Sequence, residues 1–336
     1  MTPRTVLMCP GQGAYLPGAL RPLRDHPAVS AVLDTVDACA PAREPTSPVS
    51  ALLTHPDAPA PEDLVRSHPL AFDLATYTAA VATATAVLDL LPTPADAVIG
   101  HSMGDLAALT VAGAITVRQG VRLLQIRDHL LRDAALPAAG LLVTDLTWDQ
   151  ATALLHDDRT PRHLAIAAHN APAQVVLAGP TAALARIRPL LHDRGHRATP
   201  FTSRTAFHHP LLGEVHRVFR RLLQSQPVTR PRLAVHTTST GGHQAHTPAQ
   251  LRTAAAAHLT EPVTFIPALR TLHQHGYTTY VDTGPRALLS TLAKTNLPPD
   301  CHAPAPLRTP AAPARIRARL SRPATLGAAL GPRAHL

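Results

Sequence analysis

Short apolar runs bounded by glycine, proline and polar turns alternate along this chain with stretches whose apolar residues recur every three or four positions. Residues 5–10 (TVLMCP) read as a strand that runs straight into the turn Gly11-Gln12-Gly13, and 95–100 (ADAVIG) as a second buried strand ending at His101-Ser102-Met103-Gly104. After the turn at 11–13 a loop-rich stretch follows, broken by prolines between 41 and 61. Helical patterns follow over about 69–91, 105–114 and 117–135, the last begun by a Thr116 cap. From 140 to 201 the order changes to LLVTDL, WDQATALLHD, HLAIAAHN, AQVVLAG, AALARIRPLLHDRG and HRATPF. This is a βαββαβ pattern, the ferredoxin-like signature. Helix and strand then alternate through FHHPLLGEVHRVFRRLL, LAVHTTS, PVTFIPALRTLHQHG, TTYVDTG and PRALLSTLAK. The expected organisation is a large α/β domain over 1–138 and 203–302, interrupted by a ferredoxin-like small domain over 139–202. Residues 303–336, rich in Ala, Pro and Arg, read as a flexible tail with at most a short helix near Arg315 to Leu320.

Composition narrows the chemistry. With 336 residues and 45% hydrophobic positions the chain can bury a full core. Its one lysine, Lys294, sits outside any phosphate-binding loop, which removes the P-loop and disfavours Schiff-base chemistry. The formal charge of +9 suggests nucleic acid until it is located: 303–336 holds six arginines and no acid, leaving the body at +3. Cys9, Cys39 and Cys301 are odd in number and far apart, against both a disulfide framework and a zinc site. They fit a reducing cytoplasm. No apolar run is long and uncharged enough to span a bilayer, and the Thr- and Ala-rich segment 74–88 reads as a buried helix. His192 and His196 are four apart but lack a third ligand, so no metal is expected.

The strongest chemical signal is Gly100-His101-Ser102-Met103-Gly104, a GxSxG between a buried strand and a helix. In that context it makes a nucleophile elbow: the glycines allow a sharp turn, Ser102 is pushed out of it, and free amides at the helix start face its reaction partner. Asp105, next along that helix, reads as a favourable charge at its N-terminus. A nucleophilic serine needs a base, and 21 histidines leave that choice open.

Six blocks occur in order: PGQGAYLPG at 10–18, GHSMGDLAALTVAGAI at 100–115, HNAPAQVVLAG at 169–179, TAFHHPLL at 205–212, EPVTF at 261–265 and YVDTGPRALLS at 280–290. They resemble the malonyl-CoA:acyl carrier protein transacylase family and the acyltransferase domains of polyketide synthases, as a discrete, trans-acting type. The resemblance implies an α/β hydrolase-like large domain with the site in the cleft against the small one. It selects His208 as base, with His209 standing where the family has a small residue. It implies a Ser/His dyad without a carboxylate, the imidazole being oriented by a backbone carbonyl placed at Thr264. Main-chain amides of Gln12 and Met103 form the implied oxyanion hole. Arg127, 25 residues after Ser102, falls where the family's arginine pairs with the free carboxylate of malonyl. His101, Phe207, His68 and Asn170 complete the implied substrate contacts.

The function expected is therefore acyl transfer, with malonyl as the acyl group, from a CoA or carrier-protein thioester through acyl-Ser102 to the phosphopantetheine thiol of an acyl carrier protein. The pathway would be fatty-acid or polyketide (antibiotic) biosynthesis and the kinetics ping-pong. Acyl-CoA and the phosphopantetheinyl carrier protein are substrates, and no cofactor is bound. The chain is expected to act as a cytoplasmic monomer without nucleic acid or membrane. The rival readings are a carrier-to-carrier transferase of a non-malonyl group, such as an aminoacyl unit, and an editing thioester hydrolase.

Overall fold

The computed structural model describes residues 4–12, 15–39, 48–309 and 311–321. The chain begins with β1 (Arg4–Cys9), α1 (Pro27–Cys39), α2 (Val49–Thr54), α3 (Pro61–Ser67), α4 (Pro69–Leu90), β2 (Ala97–Gly100), α5 (Gly104–Val111) and α6 (Val117–Asp133). Then come β3 (Ala139–Thr144), α7 (Trp148–His156), β4 (Ala165–Ala171), β5 (Gln174–Pro180), α8 (Thr181–Asp193) and β6 (Ala198–Phe201). It continues with α9 (Gly213–Gln224), β7 (Ala234–Thr237), β8 (Gln244–Ala245), α10 (Pro248–Ala257) and β9 (Val263–Thr264). Last are α11 (Phe265–Gln274), β10 (Tyr277–Asp282), α12 (Leu288–Asn296) and α13 (Pro313–Leu320).

Two five-stranded sheets organise these elements. The first has the order β10-β1-β2-β7-β8, parallel except for β8. A parallel sheet covered on both faces needs strands that are apolar throughout. Accordingly Leu7, Cys9 and Val98 feed a core against α4, α5 and α6, while Val6, Met8, Ala97 and Ile99 feed a second core on the opposite face. Helix α4 is buried on nearly all sides and lies inside the first core; among the described residues it alone is long and apolar enough to cross a membrane, and 94% of that stretch is buried in the fold.

The second sheet has the order β6-β3-β5-β4-β9. Its first four strands pair antiparallel and, with α7 and α8, follow the βαββαβ order that the sequence suggests. One face packs on α7 and α8 through Leu142, Leu154, Leu177 and Ile187. On the other, Ala168, Val176 and Ala178 join the second core together with Phe265 and Leu269 of α11. The fifth strand, β9, comes from outside this unit and pairs parallel with β4. The small unit is thus tied to the rest of the fold by packing and by the pairing of β9 with β4.

Three expectations change. Residues 27–39, inside the stretch left without regular structure, form α1, whose Val29, Val32, Leu33 and Val36 lie on one face in the first core. Residues 248–257 form α10, begun by a Thr247–Gln250 capping box. The tail expected from 303 onward is integral as far as α13. Tyr280 and Asp282 donate backbone hydrogen bonds to the carbonyls of His302 (2.7 Å) and Pro304 (2.9 Å). Ala303, Leu307 and Ala311 are buried, and Ile316 and Leu320 of α13 pack against α4. Residues 322–336 of that expected tail, like Gly13 of the first turn, lie outside the described residues.

Candidate active site

Ser102 sits between β2 and α5 with φ at 59°, a left-handed conformation that an L-residue adopts only when its surroundings impose it. The flanking glycines are required by contact rather than by their own dihedrals. A Cβ on Gly104 would lie 2.1 Å from the Cys9 carbonyl oxygen, and one on Gly100 would lie 2.2 Å from the Asp105 amide nitrogen. The strand and helix can meet this tightly only without side chains at both positions. Asp105 is buried against this turn, and burial raises its carboxyl well above the usual range. It is therefore driven toward the neutral acid, not toward the helix-end charge that sequence suggests.

His208 faces Ser102 across the cleft. The serine Oγ lies 2.7 Å from His208 Nε2, and His208 Nδ1 lies 2.6 Å from the carbonyl oxygen of Glu261. His208 also has positive φ, 60°, so both members of the pair are held in backbone strain. Burial drives its pKa down to about 4, outweighing the opposing Glu261 contact, and nearby His101 pushes the same way. The ring is neutral at pH 7, with Nδ1–H donating to Glu261 and Nε2 left to accept the serine proton. Glu261 corrects the expectation of Thr264. Residue 264 is committed to β9, where it pairs with His169 of β4, whereas Glu261 lies in the turn after α10.

His209 plays a different part from its neighbour. Its Nδ1 accepts the Leu211 amide at 3.0 Å in the turn into α9, and its Nε2 donates to the His163 carbonyl at 3.0 Å in the loop before β4, so both ring nitrogens are occupied by backbone.

Of the two residues expected to supply oxyanion amides, Met103 directly follows the nucleophile and Gln12 follows a glycine packed on the elbow. Met103 is the N-cap of α5, where a helix leaves its amide without an intrahelical acceptor. Gly11, which precedes Gln12, packs so close to the elbow that a Cβ there would lie 2.5 Å from the His101 carbonyl and 3.1 Å from Ser102 Cβ. On the small-sheet side, His101 Nε2 donates to Asn170 Oδ1 at 2.8 Å, and the His101 ring stands edge-on to Phe265. Burial lowers the His101 pKa. His68 is at the corner between α3 and α4, with Nδ1 buried and unpartnered.

Arg127 is 1% exposed and reaches from α6 to the residues next to both dyad members. Its Nη2 lies 3.4 Å from Met103 Sδ, and its guanidinium carbon lies 5.4 Å from the centre of the Phe207 ring. The sequence reading missed its partner. Nη2 donates to Asp73 Oδ2 at 2.5 Å, and Nη1 lies 3.1 Å from His258 Nε2. Burial and the adjacent Arg127 push the His258 pKa well down, so that ring is neutral and its Nε2 accepts. Asp73 is fully buried and its other oxygen accepts from Gln12 Nε2 at 2.8 Å. Arg204 closes the cluster, 2.5 Å from Asp128 and 3.8 Å from Asp73. A signal for Asp73 existed in the chain: it is an acid near the start of a largely apolar helical run, whose other acid, Asp89, lies at the far end, and a carboxylate is almost never fully buried unless paired.

A model described as the acyl transferase domain matches residues 6–307. Among curated proteins, polyketide synthase GfsA of Streptomyces halstedii is 33% identical over 201 residues, which is 59% of this chain and 3% of that one. The chain thus spans a small fraction of the length of this relative. An acyl-carrier-protein S-malonyltransferase from Burkholderia pseudomallei 1710b superposes with a TM-score of 0.83 at 23% identity, covering 95% of this chain and all of the other. A malonyl-transacylase solved in complex with a type II polyketide synthase acyl-carrier protein gives 0.82 at 20% identity, covering 94% and 99%. At these identities the two structures establish a shared fold.

Proposed function

The chain belongs to the acyl transferase domain family, and from that premise we propose that it transfers an acyl group from a CoA or carrier-protein thioester to the phosphopantetheine thiol of an acyl carrier protein, in fatty-acid or polyketide biosynthesis. The observation that carries the reading is the strained Ser102–His208 pair, 2.7 Å apart, with the imidazole anchored on Glu261. Malonyl is the group named for the structural neighbours, and its extension to this chain depends on the surroundings of Arg127.

In this mechanism Ser102 Oγ attacks the thioester carbonyl as its proton passes to His208 Nε2. The charge that develops on the carbonyl oxygen is received by the amides of Gln12 and Met103, each such donor contributing roughly 2.7 to 4 kcal/mol to the transition state. Collapse expels the thiol, which takes the proton back from His208, and leaves acyl-Ser102. The carrier's phosphopantetheine thiol then gives its proton to Nε2 and attacks the ester, and Ser102 is restored. A neutral imidazole with its proton fixed on Nδ1 suits both halves, since no carboxylate is needed to set the tautomer. The discriminating experiment isolates acyl-enzyme free of donor and then adds holo-acyl carrier protein. Acyl transfer to the carrier faster than hydrolysis in buffer is the expected result; equal rates would favour the editing hydrolase.

A further inference from the structure

The buried cluster beside the dyad already contains a carboxylate. Asp73 lies on α4, fully buried, with one oxygen on Arg127 and the other on the Gln12 amide. Both terminal nitrogens of Arg127 are engaged from within the fold: Nη2 by Asp73 and Nη1 by His258. The next cation, Arg204, is held by Asp128, which also pairs with Arg132 at 2.9 Å. Every charged group of this cluster therefore has a partner within the fold: Arg127 with Asp73, and Arg204 and the exposed Arg132 with Asp128. An acyl group with a free carboxylate would find both terminal nitrogens of Arg127 already engaged, with only its buried Nε lacking a partner, so it could not pair with the guanidinium through Nη1 and Nη2. To reach Arg127 it would have to displace Asp73, leaving that carboxylate buried with an amide and an arginine 3.8 Å away. Removing one partner from a buried pair is strongly unfavourable because the other charge stays uncompensated.

We propose that Asp73 is a specificity-determining residue that takes up the carboxylate-binding capacity of Arg127, so the pocket accepts acyl groups without a free carboxylate, such as acetyl or propionyl, in preference to malonyl. The inference rests on the acyl-transfer reading above. An uncharged acyl chain on Ser102 leaves the Asp73–Arg127 pair intact and meets Met103 and Phe207, the apolar side chains that Arg127 touches. The Gln12 contact adds a consequence: Asp73 also holds the side chain of the residue whose amide serves the oxyanion, so displacing it would disturb the chemistry as well as the binding.

The test measures initial rates of acyl-enzyme formation by intact-protein mass spectrometry with malonyl-, acetyl- and propionyl-CoA at equal concentration. Wild type should label faster with acetyl or propionyl than with malonyl. Asp73→Asn keeps the shape, removes the charge and frees Arg127 for a substrate, so the malonyl-to-acetyl ratio should rise at least ~30-fold. Malonyl labelling faster than both uncharged donors in wild type, or an unchanged ratio in D73N, overturns the proposal. If D73N does not fold, the wild-type ratio decides alone. Failure of every donor to label Ser102 would overturn the acyl-transfer reading itself, an outcome distinct from a malonyl preference.

Discussion

Two adjacent histidines at the site have opposite fates, and the difference is readable atom by atom. His208 presents Nε2 to Ser102, while both ring nitrogens of His209 are taken by backbone, the Leu211 amide before α9 and the His163 carbonyl before β4. His208→Ala should therefore slow acyl-enzyme formation by about 10²–10⁴-fold, the usual worth of a positioned base, and Ser102→Ala should abolish it. His209→Ala should instead lower stability by about 1–3 kcal/mol through its two lost hydrogen bonds, with labelling rates within a few-fold. Rate and denaturation midpoint measured on the same variants separate the two; a large rate loss in stable His209→Ala would reassign the base. Sequence could rank these rings from the Ala-Phe-His-His-Pro-Leu context. It could not identify the Glu261 carbonyl, because every residue carries one and only the turn after α10 decides which points at Nδ1. Asp73 was legible in principle as an acid inside a largely apolar helix, but its partner Arg127 is 54 residues away.

At the scale of elements, the long periodic helices and the apolar strands are legible because their patterns repeat over enough positions to stand out. The elbow is legible for another reason: two glycines flank a serine at the strand-to-helix junction, and backbone contact at both makes them obligatory. Elements read poorly where the pattern is short. The two-residue strand β9 has no period, and its parallel pairing with β4 is a tertiary event. Helix α13 offers only Ile316 and Leu320, one turn apart on one face, amid arginine and alanine. Yet Ile316 is completely buried against the first core. Ile316→Ala should cost about 2–5 kcal/mol of unfolding free energy, as large-to-small core changes do, measured by denaturant titration against the parent chain. A cost near zero would return this segment to the status of a dispensable tail.

Across the whole molecule, burial of neutral imidazoles links the site to acid stability. His101, His208, His236 and His258 are all pushed below the usual histidine value of 6.5, burial being the leading cause in each, and for His208 the folded value is about 4. As pH falls through 6.5 the unfolded chain takes up protons that these folded rings refuse. Stability then drops by about 1.4 kcal/mol per pH unit for each ring, down to its folded value. Two carboxyls act in the opposite sense: burial pushes Asp282 up to about 6 and raises Asp105, so below these values the folded state binds protons that the unfolded state takes up only near 3.8. Four rings against two carboxyls leave the unfolded state ahead in proton uptake just below the usual histidine value, so stability falls as pH falls. The melting temperature should therefore fall steadily from pH 6.5 toward 4.5 by scanning calorimetry. Titration of His208 near pH 4 should be visible in the labelling rate only when the enzyme is jumped from neutral pH and assayed before it unfolds. A melting temperature that holds or rises over this interval would mean that the rings carry protons inside the fold, and a protonated His208 could not take the serine proton.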